Sequence, residues 1–375
     1  MITAILRVLS SLKLAIFSLV GLFIIVLAGT LLQIEYGLYY TQNLVFYSWM
    51  IWVDIAEGIR VPVFPGGLFF GSLLGINLAV VSIKKHYFSW KKGGILLIHW
   101  GLVVLLLGAV IQLAITQESM MRLVQNEPQF YSESQRELEL VLIDTSHSDT
   151  DTEFSILFSE LSQGDTVSLG PVDIQVKKRA IHSEMKPYTP EPDHARRGVA
   201  RRWQFESRPI PKGDDVAYFS ALELDVFQND KSLGTWVVSL EVPQVQPLDY
   251  ASDDLLIQIR PKRWYNPYSL TLEKFQNEQY LGTTVPKHYA STIHLENPIT
   301  QENRQILVYM NHPLRYLGKT YYQASFEPSE TVSILQVAQN PIWSVPYIAS
   351  LIMSLGLIWQ FGVGFYGFFK KGRRK

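Results

Sequence analysis

Four stretches of the chain are apolar over the length of a membrane-spanning helix, about 20 residues. They dictate its architecture before any other feature is considered. The first is LAIFSLVGLFIIVLAGTLL, residues 14–32. The second, over 64–83, centres on GGLFFGSLLGINLAVVSI and extends back through Val61–Phe64. The third is GILLIHWGLVVLLLGAVIQLAI, 94–115, and the fourth is SVPYIASLIMSLGLIWQFGVGFYGFF, 344–369. The first has basic flanks at Arg7 and Lys13 but a longer apolar run than a secretory signal, so it is read as a retained helix. Between the third and fourth lies a polar segment of ordinary soluble composition. The fold class expected is therefore a mixed α + β membrane protein: four transmembrane helices, with one large domain inserted between helices 3 and 4.

Charge orients the helices. Arg7 and Lys13, the loop lysines Lys84, Lys85, Lys91 and Lys92, and the tail KKGRRK put eleven basic and no acidic residues on one side. The excess of Lys and Arg on cytoplasmic loops then places both termini and the 84–92 loop in the cytoplasm and the 117–341 domain outside. That domain holds 21 basic and 31 acidic residues, a net charge near −10, which argues against nucleic acid as a partner. The aromatic stretch 44–60 is too interrupted to span and reads as a helix lying in the outer interface. Without a cysteine, the chain can build no disulfide, no thiolate metal site and no C-x-x-C-H haem attachment site of its own.

The outer segment 117–341 alternates apolar and polar residues in short runs, the period of half-buried strands. ALELDVF sets Leu222, Leu224 and Val226 against Glu223 and Asp225. ELELVLI, VDIQVKK, TWVVSLEV, DLLIQIR, STIHLE, RQILVYM, KTYYQASF and TVSILQV repeat the pattern. One or two antiparallel sheets, arranged as a sandwich, are expected. The stretch 177–213, with ten basic residues and five prolines, is expected to be a long exposed loop.

Glycines mark the helix contacts. Gly67, Gly71 and Gly75 form a small-xxx-small ladder, and Gly94, Gly101 and Gly108 share one face at a spacing of seven; such faces let helix backbones approach closely. His99 lies roughly 140–160° around the helix from this second ladder and about 10 Å along the axis from Lys92. An imidazole in hydrocarbon needs a partner. A hydrogen bond to another helix, ligation of a metal or haem, and proton relay are all open, with the first favoured. The lack of other ionisable residues at that depth disfavours the relay. No other apolar span contains histidine, so a second haem ligand would come from another subunit. His288 and His294, spaced H-x5-H, are a weak metal signal. No nucleophile triad, phosphate-binding glycine loop or paired-carboxylate motif stands out, and no catalytic residue is assigned.

Residues 310–341 lead into the last span, and their Asn311, Pro313, Leu314, Tyr316, Gly318, Tyr322, Gln323, Ser325 and Phe326 resemble the N-x-P-L-x-Y-x-G-x-x-x-Y-Q-x-S-F segment of the ResB/CcsB family of cytochrome c biogenesis. The first and third spans and Asn340–Pro341 before the last span are similar as well, whereas 145–300 resembles the family only weakly. The resemblance implies a non-catalytic subunit that works with a CcsA/ResC-like membrane partner in the bacterial cytoplasmic membrane. By the same resemblance, such a subunit is expected to move haem across the bilayer and present it to apocytochrome c. It further implies that His99 is an axial ligand of a haem b shared with the partner, with no metal beyond the haem iron, and that the 311–326 residues are structural or touch the partner. The competing readings are a membrane-anchored ligand sensor and a haem b electron-transfer subunit. The former lacks an output domain, and the latter would need a second histidine.

Overall fold

The structure is a computed structural model that describes residues 2–56, 59–83, 89–147, 150–189, 195–209, 219–229, 231–248, 254–283 and 285–372. Lys84, Lys85, His194 and the tail residues Arg373, Arg374 and Lys375 lie outside the described residues. The described residues divide into a helical unit, within 2–116 and 340–372, and a strand unit, within 117–209 and 219–339.

The helical unit begins with α1 (Ile2–Leu9) and α2 (Leu12–Tyr36). Ser11 caps α2, its hydroxyl accepting from the Leu14 amide at 3.2 Å, which satisfies one of the orphan donors of a helix start. A helical turn α3 (Leu38–Thr41) and a π-turn over Gln42–Phe46 follow. Then come the antiparallel strands β1 (Met50–Ala56) and β2 (Ile59–Pro65). Helices α4 (Gly67–Ile83), α5 (Gly93–Ile115) and α6 (Val345–Gly372) complete the unit. The segments Leu12–Tyr36, Trp90–Ile115 and Val345–Phe368 are long and apolar enough to cross a membrane. Helix α4 is apolar but has 17 residues, a rise of about 25 Å against a hydrocarbon core of about 30 Å.

Two expectations are corrected here. The 44–60 segment is not an interfacial helix: its aromatic and β-branched residues, with Pro62 and Pro65 beyond, favour extended backbone, and it enters the β1–β2 hairpin. For the same reason the second apolar helix does not reach back through Val61–Phe64, which belong to β2.

The strand unit contains β3 (Gln117–Val124), β4 (Pro128–Asp144), β5 (Thr152–Leu157), β6 (Thr166–Leu169), β7 (Val172–Ala180), β8 (Ser183–Pro187), β9 (Trp203–Ser207), β10 (Ala221–Gln228), β11 (Lys231–Ser239), β12 (Gln246–Pro247), β13 (Leu255–Gln279), β14 (Pro286–Asn297), β15 (Glu302–Tyr309), β16 (Leu314–Tyr316), β17 (Lys319–Phe326) and β18 (Val332–Gln339). The largest sheet runs β15-β14-β13-β4-β3-β18-β17-β16, with β12 and β5 added to β13 and β4. A second sheet runs β11-β10-β7-β6. The named pairings are all antiparallel.

Two cores result. In the first, Leu222, Leu224 and Val226 from the second sheet meet Leu140, Leu142, Ile257 and Ile259 from β4 and β13, around a fully buried Trp236. This is a sandwich of two sheets. In the second, the other half of the large sheet curls so that Met121, Leu270, Ile293, Val308, Tyr321 and Leu335 pack together.

The 177–213 stretch is not simply an exposed loop. Its middle folds as the β8–β9 hairpin and a 3-10 turn (Gly198–Arg201), burying Met185, Val199, Ala200 and Phe205 with Ala180, Ala221 and Val237. The charge that suggested solvent is neutralised internally. Arg196 is buried, donates to Glu223 at 2.8 Å and to the Ala200 carbonyl at 2.7 Å, and lies over the Tyr188 ring.

Candidate functional site

The site is built on the seam between α5 and α6. A Cβ added to Gly94 would sit 2.5 Å from the Gly356 carbonyl oxygen, and one added to Gly101 would sit 2.5 Å from Met353 and 3.0 Å from the Ala349 oxygen. Gly108 meets Val345 in the same way. All three glycines of the ladder therefore face α6, and only hydrogen at those positions lets the backbones come this close. Trp359 adds a hydrogen bond from its indole to the Trp90 carbonyl at 3.1 Å, with the two rings 4.6 Å apart.

The α4 ladder behaves differently. Gly67 stands against the Phe46 backbone, Gly71 faces open space, and Gly75 only approaches a Leu106 methyl at 4.0 Å. The expected helix seam at these three glycines does not form. What ties α4 to its surroundings is the Phe70 ring against Gly21 and the buried Asn77, which donates to the Leu9 and Ser11 carbonyls at 2.6 and 3.1 Å. Asn77 was not singled out from sequence; a lone amide in an apolar run is the signal that marks it.

The seam sets the direction of His99. Helical geometry turns this residue away from α6, to the side that also carries Leu106, two turns further on. Leu106 is the residue that meets Gly75, so His99 lies on the α4 side of α5. Its side chain is half-buried, and the adjacent Trp100 is exposed. The imidazole is thus held by a rigid helix pair with part of its surface open. A half-buried imidazole on an apolar helix could supply one nitrogen ligand to a haem.

The residues singled out at 311–326 lie in the strand unit and are not brought together with one another as a pocket. Asn311 takes a positive φ of 62° in the turn before β16, followed by Pro313 and the buried Leu314. The Tyr316 hydroxyl accepts from Asn297 and donates to Glu302, both at 2.8 Å. Gly318 has a φ of 78°, the backbone that a two-residue hairpin turn between β16 and β17 demands. Gln323 is buried, accepts from the Ser291 hydroxyl at 2.6 Å and donates to Ser333 at 2.9 Å, linking β14, β17 and β18. Ser325 follows a bulge and its carbonyl accepts from Gln323 at 3.2 Å. Phe326 packs on Phe275 and Tyr289. Tyr322 is exposed.

His288 and His294 lie on the same strand, β14. Six residues of strand separate them by about 20 Å, so the H-x5-H spacing cannot hold one ion. Among the described residues no cluster of histidine and acidic side chains is arranged to hold a metal.

A polar network absent from the sequence reading crosses β4, β5 and β13. Arg260 is buried and donates to Glu139 at 2.9 Å and to Glu153 at 3.0 and 2.6 Å. Tyr265 donates to Glu153 at 2.8 Å. Burial opposes the charge on Glu153, but the hydrogen bonds from Arg260 and Tyr265 outweigh it and hold the carboxyl below its usual range. Burial likewise opposes the charge on Arg260, and its carboxylate partners reverse that and raise its pKa.

The chain is 31% identical over 110 residues to Protein NrfI of Wolinella succinogenes. That match covers 29% of this chain and 12% of NrfI, so the aligned part is a small portion of the relative. A family model described as the ResB-like family matches residues 79–334. The match includes α5 and runs through 145–300, where the sequence reading found only a weak resemblance. Extending over more than half of the residues, it establishes that the chain belongs to the ResB-like family.

Proposed function

We propose that this chain is a haem-handling subunit of a cytochrome c biogenesis complex in the bacterial cytoplasmic membrane. In this reading all four apolar helices span the bilayer, with the short α4 accommodated by local thinning. Both termini and the 84–92 loop are cytoplasmic and the strand unit is extracytoplasmic. The chain takes up haem b at His99 together with a CcsA/ResC-like partner, which supplies the second axial ligand. The pair then presents the haem to apocytochrome c. Membership of the ResB-like family supports the reading, as does the basic excess on one side of the helices.

The observation that carries the proposal is the setting of His99. It is the one histidine within the four apolar helices, it is half-buried, and it sits on the face of α5 opposite the glycine seam. A single imidazole would supply one ligand to the haem iron and leave a second to be supplied by the partner. When bound, haem supplies an iron that accepts the imidazole nitrogen and the vinyl groups to which cysteine thiols add. The α5–α6 seam fixes the rotation of α5, and that rotation presents the ring away from α6. Tyr322, exposed on the strand unit, is assigned to contact with the partner.

The test is to co-express the full chain with its CcsA-like partner, purify the complex, and compare haem content and ligand-field spectra with those of His99→Ala. The expected result is loss of the six-coordinate spectrum, restored by added imidazole. An unchanged haem load and spectrum would remove His99 from the site.

A further inference from the structure

Helix α1 is too short to cross a membrane and too apolar to rest in water. Its eight residues, ITAILRVL, rise about 12 Å, and an isolated helix of this length is unstable in water. At about 100° per residue, Ile5, Leu6 and Leu9 fall within one arc of about 100°, and Arg7 lies about 150° from the middle of that arc. This is the pattern of an amphipathic helix. Ile5 is 49% and Leu6 44% exposed, and Arg7 is exposed as well. The rest of the helical unit therefore leaves the apolar side of α1 largely uncovered.

The elbow between α1 and α2 is fixed by hydrogen bonds. Ser11 has extended backbone, with φ −82° and ψ 142°, so α2 does not continue the axis of α1. The carbonyls that a helix end leaves orphaned are nevertheless used. Leu6 accepts from the Ser10 amide at 3.2 Å and from its hydroxyl at 2.6 Å, and Val8 accepts from the Ser11 amide at 3.0 Å. Leu9 accepts from the Asn77 side chain of α4 at 2.6 Å, and the same Nδ2 reaches the Ser11 carbonyl at 3.1 Å. Asn77 is buried. One side chain thus bonds the chain on both sides of the elbow and ties it to α4.

The chemistry of α1 and its link to α2 indicate what meets the uncovered side. Two residues lead from α1 into α2, which is long and apolar enough to cross a membrane. Ile5 and Leu6 need an apolar medium, while Arg7 needs water or an anion. No acidic residue precedes Glu35, and Arg7 and Lys13 are both exposed, a local charge that complements lipid phosphates. We propose that α1 is an interfacial helix, lying along the membrane surface with Ile5 and Leu6 in the acyl boundary and Arg7 among the headgroups. Asn77 is the positioning residue that holds it there. The inference rests on α2 crossing the bilayer and is independent of His99 and of haem.

The chain has no cysteine, so single nitroxide-labelled cysteines in the full chain each report on one position. Ile5→Cys, Leu6→Cys, Arg7→Cys and, as a control in the middle of α2, Phe23→Cys are reconstituted in nanodiscs of phosphatidylcholine and phosphatidylglycerol. Collisions with oxygen, which concentrates in lipid, are compared with collisions with a water-soluble nickel chelate. Ile5→Cys and Leu6→Cys should favour oxygen, and the order should reverse at Arg7→Cys. Adding Asn77→Ala should erase the contrast between positions 6 and 7 while Phe23→Cys still favours oxygen. Oxygen preference at all three α1 positions would place α1 inside the bilayer, and nickel preference at all three would place it in water. Protection of positions 5 and 6 from both reagents would mean a covering protein. Each of these overturns the proposal. A contrast that survives Asn77→Ala would overturn the role of Asn77. Nickel preference at Phe23→Cys would instead overturn the spanning of α2 on which the inference rests.

Discussion

The two units are held together by opposite means. In the helical unit the closest contact, α5 on α6, is made by removing side chains: Gly94, Gly101 and Gly108 bring backbone against backbone. In the strand unit the distinctive contacts are made by adding polar groups and bonding them to one another, charged at Arg260, Glu139 and Glu153 and neutral at Gln323, Ser291 and Ser333. The contrast follows from the surroundings. Helices in lipid gain little from apolar burial against one another, so close packing decides their association. A water-exposed sheet gains from burial and can carry polar groups inside, provided each is satisfied. Against that background Asn77 and His99 stand out as polar groups among helices. Asn77 is bonded to two carbonyls and is structural; His99 is half-buried and turned away from the seam.

The largest effect should come from breaking a charge network in the strand unit. Arg260→Met leaves Glu139 and Glu153 without the cation they both bond and should cost about 3–5 kcal/mol, read as early unfolding of this unit by hydrogen exchange on the full chain. The same network sets an acid limit. Because the Glu153 pKa is depressed in the folded state, its contribution is complete above the unfolded carboxylate value of about 4.3. It is lost as pH falls through the folded value. Arg260→Met should flatten that part of the acid unfolding curve.

In the helical unit the corresponding break is an added side chain. Gly94→Val drives methyl groups into the Gly356 carbonyl and the Gln360 backbone and should cost about 1–3 kcal/mol by overpacking. The comparison predicts that this variant lowers thermal stability in detergent while leaving exchange in β4 and β13 unchanged. Gln323→Leu should cost about 1 kcal/mol, since Ser291 and Ser333 still bond each other at 2.7 Å; denaturant melts of the full chain would measure it. The smallest shift is expected for Asn77→Ala, about 0.6 kcal/mol, the average for a hydrogen bond between helices in a membrane. If Asn77→Ala proved as damaging as Arg260→Met, the division between the two units would fail.

Much of this architecture is legible in the sequence, and the exceptions have physical causes. Long apolar runs identify the helices at Leu12–Tyr36, Gly93–Ile115 and Val345–Gly372 because length and composition alone decide them. Alternation finds β10 because Leu222, Leu224 and Val226 all enter one core. The spacing of seven on α5 places Gly94, Gly101 and Gly108 on one face, and the structure sets that face against α6. Glycine spacing misleads on α4, since a small residue permits a close neighbour without supplying one, and Gly71 has none. Residues 44–60 deceive because Trp49, Trp52 and Val53 suit an interfacial helix and an exposed strand equally. Residues 177–213 deceive because composition does not reveal that Arg196 finds Glu223 and Tyr188 across the chain. His99 is visible as a single histidine in an apolar run, but which neighbour its face turns toward follows only once the seam partner is known.

The position of the α5–α6 seam has a consequence for assembly. These helices flank the entire strand unit, and β3 and β18, the strands that follow α5 and precede α6, also pair with each other from Val124–Val332 to Gln117–Gln339. Joining the ends of an intervening chain of this length costs about 5 kcal/mol of entropy, and either contact meets that cost for both. During synthesis β3 and β18 can therefore pair as soon as both have emerged, delivering the last helix to its groove on α5 as a nearly intramolecular neighbour rather than one that must search the bilayer.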